Sequence, residues 1–296
     1  MPGDTASEDL AYATETFAAV RRRLFGIAYR MLGTVADAED IVQETWLRWQ
    51  NYDKSQLREP AAFLATTSTR LAINAATSAH ARRETYIGPW LPEPVDTSQD
   101  PLLGAEKGEA LEFAVLVLLE KLPPTERAAY VLREAFDYPY PEIARIVQTS
   151  EPAARQMVSR ARKHLAAERP KHEVDPARRR EFLEAFLTAA RSGDMDALEK
   201  IFVADVVSYS DGGGIKGASR IPVRGREIVA KYYRSFADRF WSGASVREFE
   251  ANGAPAAALE RDGSVFAVVT LDADADGIQK LMWVLNPAKL SALQPA

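Results

Sequence analysis

Residues 140–165 read YPEIARIVQTSEPAARQMVSRARKHL, and the spacing within them sets the class of the protein. Ile143, Ala144 and Val147 give a short first helix one apolar face. Gln148-Thr149-Ser150 then breaks it, with Ser150 placed to cap a second helix and Pro152 tolerated in that helix's first turn. Along the second helix Ala154, Val158, Ala161 and Leu165 recur at i, i+4, i+7 and i+11, which puts them on one side. Arg155, Gln156, Ser159, Arg160, Arg162 and Lys163 occupy the other side. Arg can fork onto guanine in a major groove, Gln can read adenine, and Lys and Arg can hold phosphates. An amphipathic helix with a solvated basic face has the same composition. The order short helix, tight break, long basic helix is what distinguishes a helix-turn-helix.

The rest of the composition limits what can surround this element. At 296 residues the chain is long enough for two or three modules, and 47% hydrophobic residues can fill their cores. There is no cysteine, which removes disulfides, thiolate metal sites and cysteine nucleophiles and fits a reducing compartment. Met1 to Asp9 lacks a basic-then-apolar leader pattern, and the longest apolar run, Phe113 to Leu119, is too short to span a bilayer. A cytoplasmic location with no membrane partner is therefore expected, as is the absence of any metal or other cofactor. A net charge of -5 means that contact with nucleic acid must come from local clusters of Arg and Lys.

Upstream, apolar residues at helical spacing run from Phe17 to Leu32; Gly33 stops that helix and Thr34 caps the next, over 37–51. A third helix starts near Pro60 and is expected to end near Ser78. Residues 88–104 hold several prolines and no periodicity, the signature of a linker, yet Trp90-Leu91-Pro92-Glu93-Pro94 within them suits a hydrophobic anchor onto a neighbouring domain. Helices resume over 105–121 and 124–136. Beyond Pro176 the pattern changes to helices over 178–192, 195–202 and 226–240, and to strand-like segments over 206–210, 246–249, 256–260, 265–271 and 278–285. Asn252-Gly253, Asp262-Gly263 and Asp276-Gly277 separate the later strands, so an antiparallel sheet with helices, an α+β layout, is expected.

From Tyr29-Arg30-Met31-Leu32-Gly33 through the run ADAEDIVQETWLRW at 36–49, the chain resembles region 2 of bacterial sigma factors of the extracytoplasmic-function type. The resemblance continues from Leu122-Pro123 and Glu126-Arg127 through the helix-turn-helix to Arg160-Ala161-Arg162-Lys163, the family's region 4. It implies that Asp37, Asp40, Gln43, Glu44 and Arg48 face the β′ subunit of core RNA polymerase, with the β subunit a further partner. It implies that Arg70, Asn74, Ser78, Arg82 and Arg83 meet the minus-ten element, with a flipped base captured in a loop after the third helix. Arg155, Gln156, Ser159 and Arg160, flanked by Arg162 and Lys163, would read the minus-thirty-five duplex. Trp46 and Trp49 beside the acidic residues add to the docking reading of the second helix.

The segment after Pro176 resembles a SnoaL-like domain, a conical α+β fold. Three motifs point to the subgroup of these sigma factors, the sigma J type, that carries such an extension: Trp90-Leu91-Pro92-Glu93-Pro94, Asp211-Gly212-Gly213-Gly214, and Asn286-Pro287-Ala288-Lys289-Leu290, where the family usually has Asp at the position of Ala288. The implied organisation is multidomain: all-α region 2 over 10–87, a linker over 88–104, an all-α region 4 over 105–168, and a SnoaL-like regulatory domain over 176–296. The resemblance implies tuning of activity in cis through those three motifs, with no separate anti-sigma factor. Two other readings stay open. One is an operator-binding regulator with a ligand-sensing C-terminal domain. The other is a cyclase-type enzyme using Asp211 or Asp205 beside Tyr209, although His80, His164 and His172 all precede Pro176 and no catalytic residue is expected. A pocket lined by Tyr232, Tyr233, Phe236, Phe266, Met282 and Trp283 is conceivable, and plain core is the commoner fate of such residues.

Overall fold

The computed structural model describes residues 3–54, 57–98, 112–168 and 174–294, with the side chains of 3–9, 80–82 and 84 outside the description. These residues form two compact units. The first gathers the chain up to 82 with 118–166; the second gathers 83–98, 112–117 and the chain from 167 onward.

In the first unit, helix α1 (Gly3–Leu32) packs on α2 (Val35–Gln50), and α3 (Pro60–Glu84) closes the core. The break between α1 and α2 follows from two residues. Gly33 takes a left-handed φ of 73° and its N–H returns to the Tyr29 carbonyl at 2.7 Å. Thr34 accepts from the Asp37 N–H at 3.3 Å and donates to the Asp37 carboxylate at 2.5 Å. Leu24, Ile27, Met31, Trp49 and Leu64 are fully enclosed, and the Trp49 indole donates to the Ala13 carbonyl at 3.0 Å. The helix α3 outruns its expected end at Ser78 by six residues. Ala75, Ala76, Ala79 and Ala81, among the best helix formers, carry it on where a loop was expected.

Among the described residues the helices that follow are α4 (Phe113–Leu119), α5 (Pro124–Glu134), α6 (Tyr140–Val147) and α7 (Glu151–Glu168). The break between α6 and α7 is the expected one. Gln148 adopts a left-handed φ of 59°, and Ser150 accepts from Ala153 N at 3.4 Å to start α7. Ala154, Val158, Ala161 and Leu165 are buried as their spacing requires; in α6 it is Ile146, with Ile143 and Ala144, that is buried, while Val147 is half-exposed. Arg127 of α5 is buried and donates to the Met31 carbonyl at the end of α1 at 2.5 Å and to Glu120 at 2.7 Å. Its burial pulls the guanidinium pKa down to about 10.

The second unit is a six-stranded sheet in the order β2-β1-β6-β5-β4-β3, built from β1 (Phe202–Asp211), β2 (Val223–Arg224), β3 (Ser245–Ala251), β4 (Ala254–Arg261), β5 (Ser264–Asp274) and β6 (Gly277–Val284). Helices α8 (Pro176–Ser192), α9 (Met195–Ile201) and α10 (Arg226–Trp241) pack on it. The sheet is mixed, not antiparallel: β1 runs parallel to β6, with Tyr209 opposite Met282 and Asp211 opposite Val284. Alternation of apolar residues reports which segments are strands, but not which strands become neighbours. One face carries a core that includes Phe186, Phe202, Tyr233 and Trp283. The other face packs Leu91 and Phe113 against Met282, Val284, Leu290 and Leu293. Met282 therefore points away from the aromatic face on which it was grouped from sequence. Among the described residues, no helix is long and apolar enough to cross a membrane and no cluster of His, Asp or Glu could hold a metal.

Because Trp49 is fully enclosed and its indole is hydrogen-bonded, Trp49→Ala is expected to destabilise the first unit by about 3–5 kcal/mol, read as a lower urea midpoint.

Candidate functional site

The outward face of α2 is a single stripe. Asp40, Gln43, Leu47 and Arg48 are exposed and Glu44 is half-exposed, at spacings that stack along one side of the helix. Glu44 and Arg48 are paired at 2.8 Å. Asp37 departs from the expectation, because its carboxylate is engaged by Thr34 at the helix start. The tryptophans depart too. Trp49 is core, and Trp46 packs on Phe17 with ring centroids 5.0 Å apart, so neither leads the docking face. Leu47, 46% exposed, is the apolar residue on that stripe.

On α3, Arg70, Asn74 and Ser78 are exposed at i, i+4 and i+8. Glu44, Arg48 and Arg70 line one open groove of about 630 Å³ between α2 and α3. The Arg70 guanidinium is not free to hold a phosphate here. It donates to the Ile146 carbonyl at 3.0 Å and the Arg145 carbonyl at 2.9 Å, satisfying the end of α6. Ser78 bonds back to the Asn74 carbonyl at 3.3 Å within the helix, so 78–83 present a helical face in place of the expected capture loop. The Arg82 side chain lies outside the described residues. Arg83 lies 3.5 Å from the Trp90 ring centroid, a cation–π contact where a phosphate contact was expected.

All six residues expected to read duplex DNA lie on the exposed side of α7. Three of the cations are paired with carboxylates: Arg155 with Glu151 at 2.6 Å, Arg162 with Glu134 at 2.7 Å, and Arg160 with Glu126. The Glu134 hydrogen bond raises the Arg162 pKa. Gln156, Ser159 and Lys163 have no such partner among the described residues. Exposed ion pairs of this kind contribute about 0–1 kcal/mol each, so an incoming phosphate can replace the carboxylate at small cost.

The three motifs of the second unit meet at one buried carboxylate. Asp211, with no exposure to solvent, ends β1 and receives only donors: the Tyr86 hydroxyl, the Leu91 N–H at 2.8 Å and the Lys289 ammonium at 2.7 Å. Lys289 also donates to the Leu91 carbonyl, and its Nζ sits 4.1 Å from the Trp90 ring centroid. Burial lowers the Lys289 pKa to about 8, against the opposing pull of Asp211. Tyr86 is pushed up, by burial first and then by its bond to Asp211. Asn286 donates to the Tyr86 hydroxyl at 2.9 Å and accepts from Ala288 N at 3.1 Å, which starts the 3-10 turn Pro287–Lys289. Gly213 is needed for this closeness: a Cβ there would lie 2.7 Å from the Asn286 amide and 3.2 Å from the Tyr86 hydroxyl. Gly212 and Gly214 pack against Ala218 and Ile87. Asp211 is thus a buried ion-pair partner, and its oxygens are not available for an acid–base pair with Tyr209.

The described part of the linker, 88–98, continues from this knot as a docked strap. Leu91 is core, and Pro92, Glu93 and Pro94 are buried. Val95 exchanges hydrogen bonds with Asn252, donating to its side chain at 3.0 Å and accepting from its N–H at 2.9 Å. Asp96 bridges Ala251, and Thr97 N–H reaches the Glu250 carbonyl at 2.9 Å along the edge strand β3. Sequence reasoning missed Tyr86, Asn252 and Thr97. Asn252-Gly253 was legible as a hairpin turn, but a turn residue whose side chain serves a distant segment leaves no local signal.

Asp211→Asn places an amide donor among three donors and leaves Lys289 without its counterion. The second unit is expected to lose about 3–5 kcal/mol, measured by urea unfolding. The pH dependence has a definite sign. Between about 8, the folded value for Lys289, and its ordinary value near 10.4, the unfolded chain holds a proton that the folded unit has released. Stability should therefore rise with pH from about 8 toward 10, and then fall as Tyr86 ionises in the unfolded chain alone. Lys289→Met should abolish the rise in a pH series of urea midpoints.

Two family models match the chain: Sigma-70 region 2 over residues 16–83 and Sigma-70, region 4 over residues 112–165. The chain is 41% identical over 232 residues to the ECF RNA polymerase sigma factor SigJ of Mycobacterium tuberculosis, spanning 77% of this chain and 74% of that protein. It is 30% identical over 282 residues to the probable ECF RNA polymerase sigma factor SigI of the same species, spanning 93% of each. The crystal structure of the M. tuberculosis extracytoplasmic function sigma factor SigJ superposes with a TM-score of 0.75 and 33% identity, over 94% of this chain and 98% of that one. With regions 2 and 4 in order, a helix-turn-helix with its basic side outward and these relatives, the chain belongs to the ECF RNA polymerase sigma factor family and directs promoter-specific transcription initiation with RNA polymerase.

Proposed function

We propose that this sigma factor is held in a closed, resting form, tuned in cis by its C-terminal domain, and that opening frees regions 2 and 4 for polymerase and promoter. In this reading Asp40, Gln43, Glu44, Leu47 and Arg48 dock on the β′ subunit, Arg70, Asn74 and Ser78 with Arg82 and Arg83 serve the minus-ten element, and the exposed side of α7 reads the minus-thirty-five box. Region 2 takes 10–87, region 4 takes 105–168 and the SnoaL-like regulatory domain takes 176–296, with no separate anti-sigma factor required and the cytoplasm as the place of action.

One observation carries the closed form: Arg70 of α3 is hydrogen-bonded to the carbonyl end of α6. Boxes named minus ten and minus thirty-five are separated by about 25 base pairs, or about 85 Å of duplex at ~3.4 Å per step. Helices joined by direct hydrogen bonds do not serve sites so far apart, so these bonds must break before both boxes are engaged. The strap explains how the C-terminal domain takes part. The chain that joins region 2 to region 4 is hydrogen-bonded to that domain from Tyr86 to Thr97, which limits how far it can pay out.

Lys289→Met loosens the strap at the knot while leaving every proposed polymerase and DNA contact in place. Transcription in vitro with purified core polymerase, on a promoter selected with this protein, should rise several-fold over the intact chain. Equal activity of the two proteins would overturn the tuning in cis. Tight, polymerase-independent binding of the promoter duplex would instead favour an operator-binding regulator.

A further inference from the structure

Tyr140 opens α6 between Pro139 and Pro141, whose rings fix the backbone on either side of it. Two cations converge on its aromatic ring. The Arg155 guanidinium, from the first turns of α7, is 4.2 Å from the ring centroid, and that of Arg133, from α5, is 5.1 Å away. Both are inside the ~6 Å range in which the negative face of an aromatic ring attracts a cation. Arg133 is tied in turn to the Tyr138 carbonyl at 3.1 Å, which anchors it to the segment before α6.

Arg155 is held by two different kinds of contact. Its Nε and Nη2 both donate to Glu151 Oε1, at 3.1 and 2.6 Å, one turn earlier on the same helix. Its Nη1 has no acceptor among the described residues, so the end of the guanidinium that pairs Nη1 with Nη2 stays open for a base edge with two acceptors. The carboxylate is exchangeable, because an exposed ion pair contributes little and a duplex brings competing phosphates. The ring is held differently. A phosphate competes for the donor hydrogens of the guanidinium and not for its face, so Tyr140 keeps its hold when Glu151 lets go. Arg160 and Arg162 are paired with Glu126 and Glu134 of α5, and neither they nor Lys163 lie over a ring among the described residues.

Reading guanine and holding a phosphate make different demands. A phosphate accepts from an arginine that swings freely, whereas the paired bonds to guanine O6 and N7 require the guanidinium to lie near the plane of the base pair. The N-terminal part of a recognition helix is the part that reaches base edges, and Arg155 is the fifth residue of α7. We infer that Tyr140 is a positioning residue, fixing the plane of the Arg155 guanidinium so that it reads one guanine of the upstream promoter box and not a phosphate. The inference rests on α7 reading that box, and it adds a residue outside α7 to the determinants of specificity.

The test uses the intact chain with core polymerase on a promoter selected with this protein and randomised through the minus-thirty-five duplex. Sequencing the heparin-resistant complexes gives the base preference at each position. The intact chain should prefer guanine at one position, and Arg155→Ala should cut that preference about tenfold. Tyr140→Leu should reduce the same preference about threefold, the size of an exposed cation–π contact, and Tyr140→Phe, which retains the ring, should leave it within about 1.5-fold. Preferences at the other positions should be unchanged in all three, which separates positioning from a general loss of fold. No effect of Arg155→Ala at any position would sink both the reading of α7 and the inference. A loss in Arg155→Ala with full preference in Tyr140→Leu would overturn the inference alone. So would a loss in Tyr140→Leu that is spread evenly over all positions, or one that Tyr140→Phe shares.

Discussion

A carboxylate enclosed at the end of a β-strand has to be met by donors on every open side, and Asp211 draws them from two distant parts of the chain. Tyr86 and Leu91 come from the end of region 2 and the linker that follows it, and Lys289 from the turn after the last strand. Removing a carboxylate and an ammonium from water is expensive, and their mutual attraction only roughly offsets it. The value of such a pair lies in what it forbids. A strap shifted by one residue would take the Tyr86 hydroxyl and the Leu91 N–H and carbonyl away from this buried pair, so the register of the linker on the domain is tightly specified. Asn286, Gly213 and Trp90 have their places because the knot is this compact.

The first unit is organised by a weaker version of the same rule. The carbonyl ends of α1 and α6 lack partners within their own helices, and Arg127 and Arg70 supply them from elsewhere in the unit. These contacts differ in permanence. Arg127 is buried and paired with the half-buried Glu120, so its bonds are part of the fold. Arg70 is exposed, and water or phosphate can replace the carbonyls it holds. The arginines of α7 are exposed and paired with glutamates in the same exchangeable way. A surface kept neutral by its own acids adheres weakly to random polyanions, yet gives up those acids readily to a duplex held in register by polymerase.

Much of this was legible along the chain because it is local. Apolar spacing gave the helix-turn-helix and the buried side of α7, Gly33 and Thr34 gave the break between α1 and α2, and Asn-Gly and Asp-Gly pairs gave the hairpins. The departures are those where a neighbour in space overrules a neighbour in sequence. Trp46 and Trp49 looked like docking residues until Phe17, Ala13 and Phe63 were seen beside them. The end of α3 ran past its expected stop because alanines prolong a helix that nothing terminates. The aromatic residues of α10, β5 and β6 left a pocket and plain core both open in sequence, and their packing frames a cavity that Met282 does not line.

What the sequence alone determined is therefore the order of the modules, the family they resemble and the side of each helix that turns inward, since all of these follow from propensity and period. The tertiary structure decided which strands pair, which charges neutralise one another and where the linker lies. Those outcomes depend on donors and acceptors that burial brings together across more than a hundred residues of chain, as in Leu91 with Asp211, and no periodicity encodes a partner at that distance.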